Sequence, residues 1–129
     1  MIEARKKLSL QKSCFLKHSS DFKRLRENGN RLVCERFVFN WLPLSEGSQS
    51  KIGVVTSRRL GSSVTRNRAR RLLREVCRLH QYDLAKPAEI VLVARSGIKG
   101  SKFSNVERDF LELIHKAGLL RDGVKINYK

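Results

Sequence analysis

The chain has 129 residues, 40% hydrophobic and 31% charged, which suits one folded domain and excludes a disordered chain. Lys+Arg number 28 against 12 Asp+Glu, a formal net charge of +16, so the expected partner is a polyanion: nucleic acid or an anionic membrane surface. No apolar run approaches the roughly 18 residues of a membrane span, and the basic start Met1-Ile2-Glu3-Ala4-Arg5-Lys6-Lys7 leads into no signal-peptide core, so a cytoplasmic protein with no membrane partner is expected.

Residues 1–14 are polar and basic and are expected to be flexible, ahead of a single domain over 15–118 and a basic tail over 119–129. Ser19 or Ser20 can cap a first short helix, and Asn28-Gly29 closes it with a residue tolerant of positive φ. Phe22 and Leu25 are its apolar pair, and Lys23, Arg24 and Arg26 make a basic surface. Val33, Phe37, Phe39 and Trp41, set against Glu35, Arg36 and Asn40, predict one or two strands that end at Pro43. Lys51-Ile52-Gly53-Val54-Val55-Thr56-Ser57 predicts another, so residues 31–57 read as an antiparallel hairpin or meander. Later, Glu89-Ile90-Val91-Leu92-Val93-Ala94-Arg95 is a continuous apolar run, the pattern of a strand buried on both sides. A last helix, capped by Ser104 and ended by Gly118, carries Val106, Phe110, Leu113, Ile114 and Ala117 on its apolar side.

Between the last two strands lies the most informative stretch, residues 65–79. Read as a helix, Ala69, Leu72, Leu73, Val76 and Cys77 form one apolar stripe, while Arg66, Arg70, Arg74 and Arg78 recur every fourth position with Arg71 between their rows. Thr65 is the predicted N-cap. Arginines this dense, with only Glu75 among them, repel one another unless a partner neutralises them. Guanidinium forks match phosphate, so the helix is expected to dock on a core and to face RNA or DNA. The preceding loop, Arg58-Arg59-Leu60-Gly61-Ser62-Ser63-Val64, brings two more arginines and carries no Walker pattern. One sheet covered by helices, with the arginine helix crossing between two strands, is the economical packing.

Catalytic groups are not apparent. Glu107, Asp109 and Glu112 are the only close acids, and they fall early in the last helix, where the macrodipole favours them without a chemical role. His18, His80 and His115 lack metal-ligand spacing. The odd set Cys14, Cys34 and Cys77 contains no CxxC pair and is read as reduced thiols, with Cys77 a buried hydrophobe. The chain reads as a binder.

Arg66-Asn67-Arg68-Ala69-Arg70-Arg71-Leu72-Leu73-Arg74 resembles the R-N-R-x-x-R-x-x-R signature of the bacterial ribonuclease P protein component. The similarity runs from Ser20-Asp21-Phe22 through Gly53-Val54-Val55-Thr56-Ser57-Arg58-Arg59-Leu60-Gly61 to Val91-Leu92-Val93-Ala94-Arg95. It implies an α/β (α+β) two-layer sandwich, helix-strand-strand-strand-helix-strand-helix, with a left-handed βαβ crossover against the usual right-handed preference. It further implies a subunit that joins a large catalytic RNA and helps it to remove the 5′ leader of precursor tRNA. The RNA is then expected to carry the hydrolysis, with Mg2+ in the RNA–protein holoenzyme and no cofactor or small-molecule ligand on the protein alone. By the same resemblance, Arg66, Asn67, Arg68, Arg70, Arg71 and Arg74 contact the catalytic RNA, supported by Arg58 and Arg59. The leader-binding cleft lies between the first helix and the sheet, with Phe22, Lys23, Arg26, Phe37, Phe39 and Asn40 as candidates, and it is left open which of Phe37 and Phe39 faces the core. Arg26 and Asn40 stand where the family often has aromatics, which predicts a cleft leaning on charge more than on stacking. The competing readings are a ribosomal-type or chaperone RNA-binding protein and, disfavoured by its few base-reading side chains, a DNA-binding regulator.

Overall fold

The continuous apolar run near residue 90 lies inside a four-stranded sheet, where a strand without a polar face belongs. The computed structural model describes residues 15, 16 and 19–123; the expectation for residues 1–14 and the last part of the basic tail, 124–129, lie outside them. In chain order the elements are α1 (Ser19–Asn28), β1 (Asn30–Val33), β2 (Phe37–Pro43), β3 (Lys51–Val55), α2 (Ser63–Leu79), β4 (Ala88–Ala94) and α3 (Phe103–Lys116). Single 3-10 turns, Arg58–Leu60 and Ser96–Ile98, follow β3 and β4. The fold is a mixed α/β sandwich in the predicted order.

The sheet order is β1-β2-β4-β3. β1 and β2 form an antiparallel hairpin, β2 pairs antiparallel with β4, and β3 pairs parallel with β4. The meander expected over 31–57 therefore stops at β2. β4 has the more apolar faces and takes the central place, leaving β3 at an edge, joined to β4 through α2.

Strand alternation divides the interior in two. Phe37, Phe39, Ile52, Ile90 and Leu92 face α2 and α3, which contribute Ala69, Leu73, Val76 and Cys77, and Val106, Phe110, Leu113 and Ile114. On the opposite face Val91, with Val55 and Val93 beside it, meets Leu16, Phe22 and Leu25, so α1 covers that side. Leu119 is 4% exposed and joins the main core, and Ala85 donates to its carbonyl at 2.7 Å, so packing continues past the boundary expected at Gly118.

Three local expectations are corrected. Ser62, not Thr65, caps α2: its Oγ accepts from the Thr65 amide at 3.3 Å, which puts Thr65 inside the first turn. Lys102, not Ser104, is the N-cap of α3, without a side-chain cap bond. Gly29 is needed for close approach rather than for positive φ, because a Cβ there would lie 2.5 Å from the Leu25 carbonyl oxygen and 2.8 Å from that of Trp41. Gly118, with φ of 74°, does end the last helix in the left-handed region.

Candidate nucleic-acid interface

The apolar stripe of α2 fixes which way its arginines face. Ala69, Leu73, Val76 and Cys77 are buried, so Asn67, Arg68, Arg71 and Arg74 are left exposed and Arg66 and Arg70 half-buried at its flanks. Their contacts are to neutral groups. Arg66 Nη2 donates to Ser63 Oγ at 3.2 Å, and Arg68 Nη2 to the Ser101 carbonyl at 3.0 Å. Arg70 donates to Asn67 Oδ1 at 2.8 Å and to Thr56 Oγ1 at 2.7 Å, which ties the helix to the end of β3. The Arg74 guanidinium lies over the Phe15 ring at 5.3 Å, and Phe15 in turn pairs with Ile52 on the β3 edge. Arg71, and Arg58 and Arg59 in the turn before the helix, are exposed with no side-chain hydrogen bond or ion pair to a described residue.

Elsewhere arginines meet carboxylates. Arg24 Nη2 contacts both oxygens of Glu89 at 2.6 Å, Arg36 bonds Asp109 at 2.7 Å, and Arg78 bonds Glu75 at 2.6 Å. The bonds from Arg78 also hold the Glu75 carboxyl below its ordinary pKa. None of Arg66, Arg68, Arg70, Arg71 and Arg74 has such a partner among the described residues. Neutral acceptors orient Arg66, Arg68 and Arg70 and an aromatic ring orients Arg74, and no described carboxylate cancels these charges or that of Arg71.

On the other face of the sheet, α1 and the strands enclose a cleft of about 590 Å³. Phe22, Lys23, Arg26 and Asn40 line it, with Arg31 also at its wall and Val38, Val55, Val91 and Val93 as an apolar floor. Two contacts set α1 above that floor. Glu89, 6% exposed at its side chain, anchors Arg24; and Gly53 admits the Phe22 ring, since a Cβ there would come within 2.6 Å of Phe22 Cε1.

Phe37 and Phe39 are corrected. Both are 0% exposed, in the core beneath α2 and α3, and neither reaches the cleft. Standing two residues apart on one strand, they share a face, and the intervening Val38 and then Asn40 take the other. That parity was available in the sequence. Arg31 was not singled out, yet its register opposite Asn40 brings it to the same wall.

A cationic helix on one layer and a cleft with basic walls on the other give a small α/β protein with two separate basic surfaces. The model of the family described as Ribonuclease P matches residues 10–118. The ribonuclease P protein component of Syntrophomonas wolfei is 34% identical over 119 residues, covering 92% of this chain and 99% of that protein. That of Pelotomaculum thermopropionicum is 34% identical over 106 residues, covering 82% and 94%. Among solved structures, the RNase P protein of Staphylococcus aureus shares the fold with a TM-score of 0.75 at 23% identity, covering 85% of this chain and all of that one. That of Thermotoga maritima gives 0.69 at 26% identity, covering 78% and 94%. The chain belongs to the ribonuclease P protein family.

Proposed function

We propose that this chain is the protein subunit of a ribonuclease P, which binds the catalytic RNA through α2 and its preceding turn and the 5′ leader of precursor tRNA in the α1 cleft. In this role it assists endonucleolytic removal of the leader in the cytoplasm. The observation that carries the reading is that Arg66, Arg68 and Arg70 are held by neutral acceptors and Arg74 by the Phe15 ring, and that these and Arg71 meet no carboxylate among the described residues. Ordered, unpaired guanidinium groups on a rigid helix suit bidentate contact with phosphate. The cleft supports the second half, because an apolar floor with Phe22 takes unpaired bases while Lys23, Arg26 and Arg31 follow the backbone.

The chemistry is assigned to the RNA and its Mg2+. Carboxylates that might have held an ion are engaged in the fold: Glu89 with Arg24, Asp109 with Arg36, Glu75 with Arg78, and Glu107 with His80 at 2.8 Å. Cleavage of precursor tRNA by the catalytic RNA at low Mg2+, with and without the protein, tests this reading. Stimulation is expected. Tight RNA binding without stimulation would indicate a ribosomal-type or chaperone protein instead, and cleavage by the protein alone would refute the assignment of chemistry to RNA.

A further inference from the structure

A second groove, of about 720 Å³, runs along α2 on the side that faces the start of α3. Its size falls within the range of about 300–1,000 Å³ that small ligands occupy. The floor is apolar: Leu72 and Leu79 from α2 and Phe103 from the first turn of α3, all half-buried and packed at the edge of the main core or beside it. Leu72 belongs to the predicted apolar stripe, but it is only partly buried, packed against the main core on one side and lining the groove on the other.

The rim carries Arg68, Arg71 and Arg74, all exposed, and the Glu75–Arg78 pair. That pair is internally neutral, with its two bonds at 2.6 and 3.1 Å. The net charge facing the groove therefore comes from Arg68 and Arg71, since the Arg74 guanidinium lies over the Phe15 ring outside it. Arg68 is fixed toward this side by its bond to the Ser101 carbonyl, two residues before Phe103.

An aromatic ring on an apolar floor, walled by cations, matches neither duplex phosphate alone nor an apolar helix. A duplex would leave Phe103 and the leucines uncovered, and an apolar helix would strand the arginines in a desolvated interface. An unpaired nucleotide satisfies both halves, its base on the floor and its flanking phosphates on the rim. We infer that this groove is a nucleobase site, in which one unpaired base of the bound RNA stacks against Phe103 while Arg68 and Arg71 hold the adjoining phosphates. The inference rests on α2 being the RNA-binding helix, and it adds a base contact to a surface otherwise read as phosphate-seeking.

Equilibrium titration of the full chain with the catalytic RNA, repeated over a range of salt, tests it. Phe103→Leu keeps an apolar side chain against the core but removes the stacking face, and should weaken binding about 5- to 100-fold with the log–log salt slope unchanged. Phe103→Trp should restore the affinity, and its indole fluorescence, measured against the unsubstituted chain, should be quenched when RNA is added. Arg71→Ala should instead lower both the affinity and the slope, by about 0.7–0.9 for each lost phosphate contact. Wild-type affinity for Phe103→Leu alongside a weakened Arg71→Ala would overturn the base site and leave the arginine surface standing. If neither variant changed, the RNA-binding reading of α2 would fall with it. Loss of self-association rather than of RNA affinity in Phe103→Leu, seen by sedimentation, would place a second copy of the chain in the groove and overturn the proposal.

Discussion

Arg24 and Arg71 carry the same charge into opposite surroundings. Arg24 faces the buried Glu89 carboxylate, and Arg24→Met removes the described counter-charge of that group. Hydrogen bonds to charged groups are worth about 1.5–3 kcal/mol, and Arg24 is partly exposed, so a loss toward the lower end of that range is expected in urea unfolding. Arg71 faces solvent, and Arg71→Ala should leave the unfolding midpoint nearly unmoved while weakening RNA binding. Phe39→Ala should cost about 3–5 kcal/mol of stability because the side chain is fully buried, and calorimetry would read it as a lowered midpoint. Cys77 gives a pH dependence. Burial pushes its thiol from 9.0 up to about 12. A raised pKa on an acid that is neutral when protonated means its contribution is complete below pH 9.0 and is lost as pH climbs toward about 12. Denaturation over that window should show stability falling with pH, less steeply in Cys77→Val.

At the scale of elements, α2 shows what periodicity reveals and what it leaves out. Its apolar stripe identified the buried side from residue spacing alone, and Ala69, Leu73, Val76 and Cys77 lie there. Its start was misplaced because Ser62 and Thr65 are both good caps, and only the backbone distinguishes the residue before the helix from the one inside it. Ser62→Ala should therefore cost about 0.5–2 kcal/mol, and Thr65→Ala less, in thermal unfolding. In β2 the alternation of Phe37, Phe39 and Trp41 with Val38, Asn40 and Leu42 was legible, but which set faced α1 was not. The answer came from the partners. α2 and α3 bring two apolar stripes to one face, so the aromatics fill the thicker layer, and the smaller Val38 and Asn40 leave room for a cleft. The Phe103 groove was hidden for a related reason: its floor joins residues more than twenty positions apart, and no local pattern links them.

For the whole molecule, the two surfaces proposed to bind RNA lie on opposite layers of one sheet. Lys23→Ala and Arg31→Ala should thus weaken binding of leader-bearing precursor tRNA to the assembled holoenzyme while leaving the affinity for the catalytic RNA unchanged, as parallel titrations would show. The layers share β4, which supplies Val91 and Val93 to the cleft floor and Ile90 and Leu92 to the core under the arginine helix. This strand is also the last to be synthesised, although it sits between two made earlier. On a ribosome, β2 and β3 would emerge with no strand between them, and the long-range pairing that closes the sheet waits for residues 88–94. Until then neither the cleft nor the arginine helix has its support. A chain stopped short of β4 would offer a cell only a positively charged fragment with the β4-facing edges of β2 and β3 left open, a hazard for aggregation rather than a partial subunit.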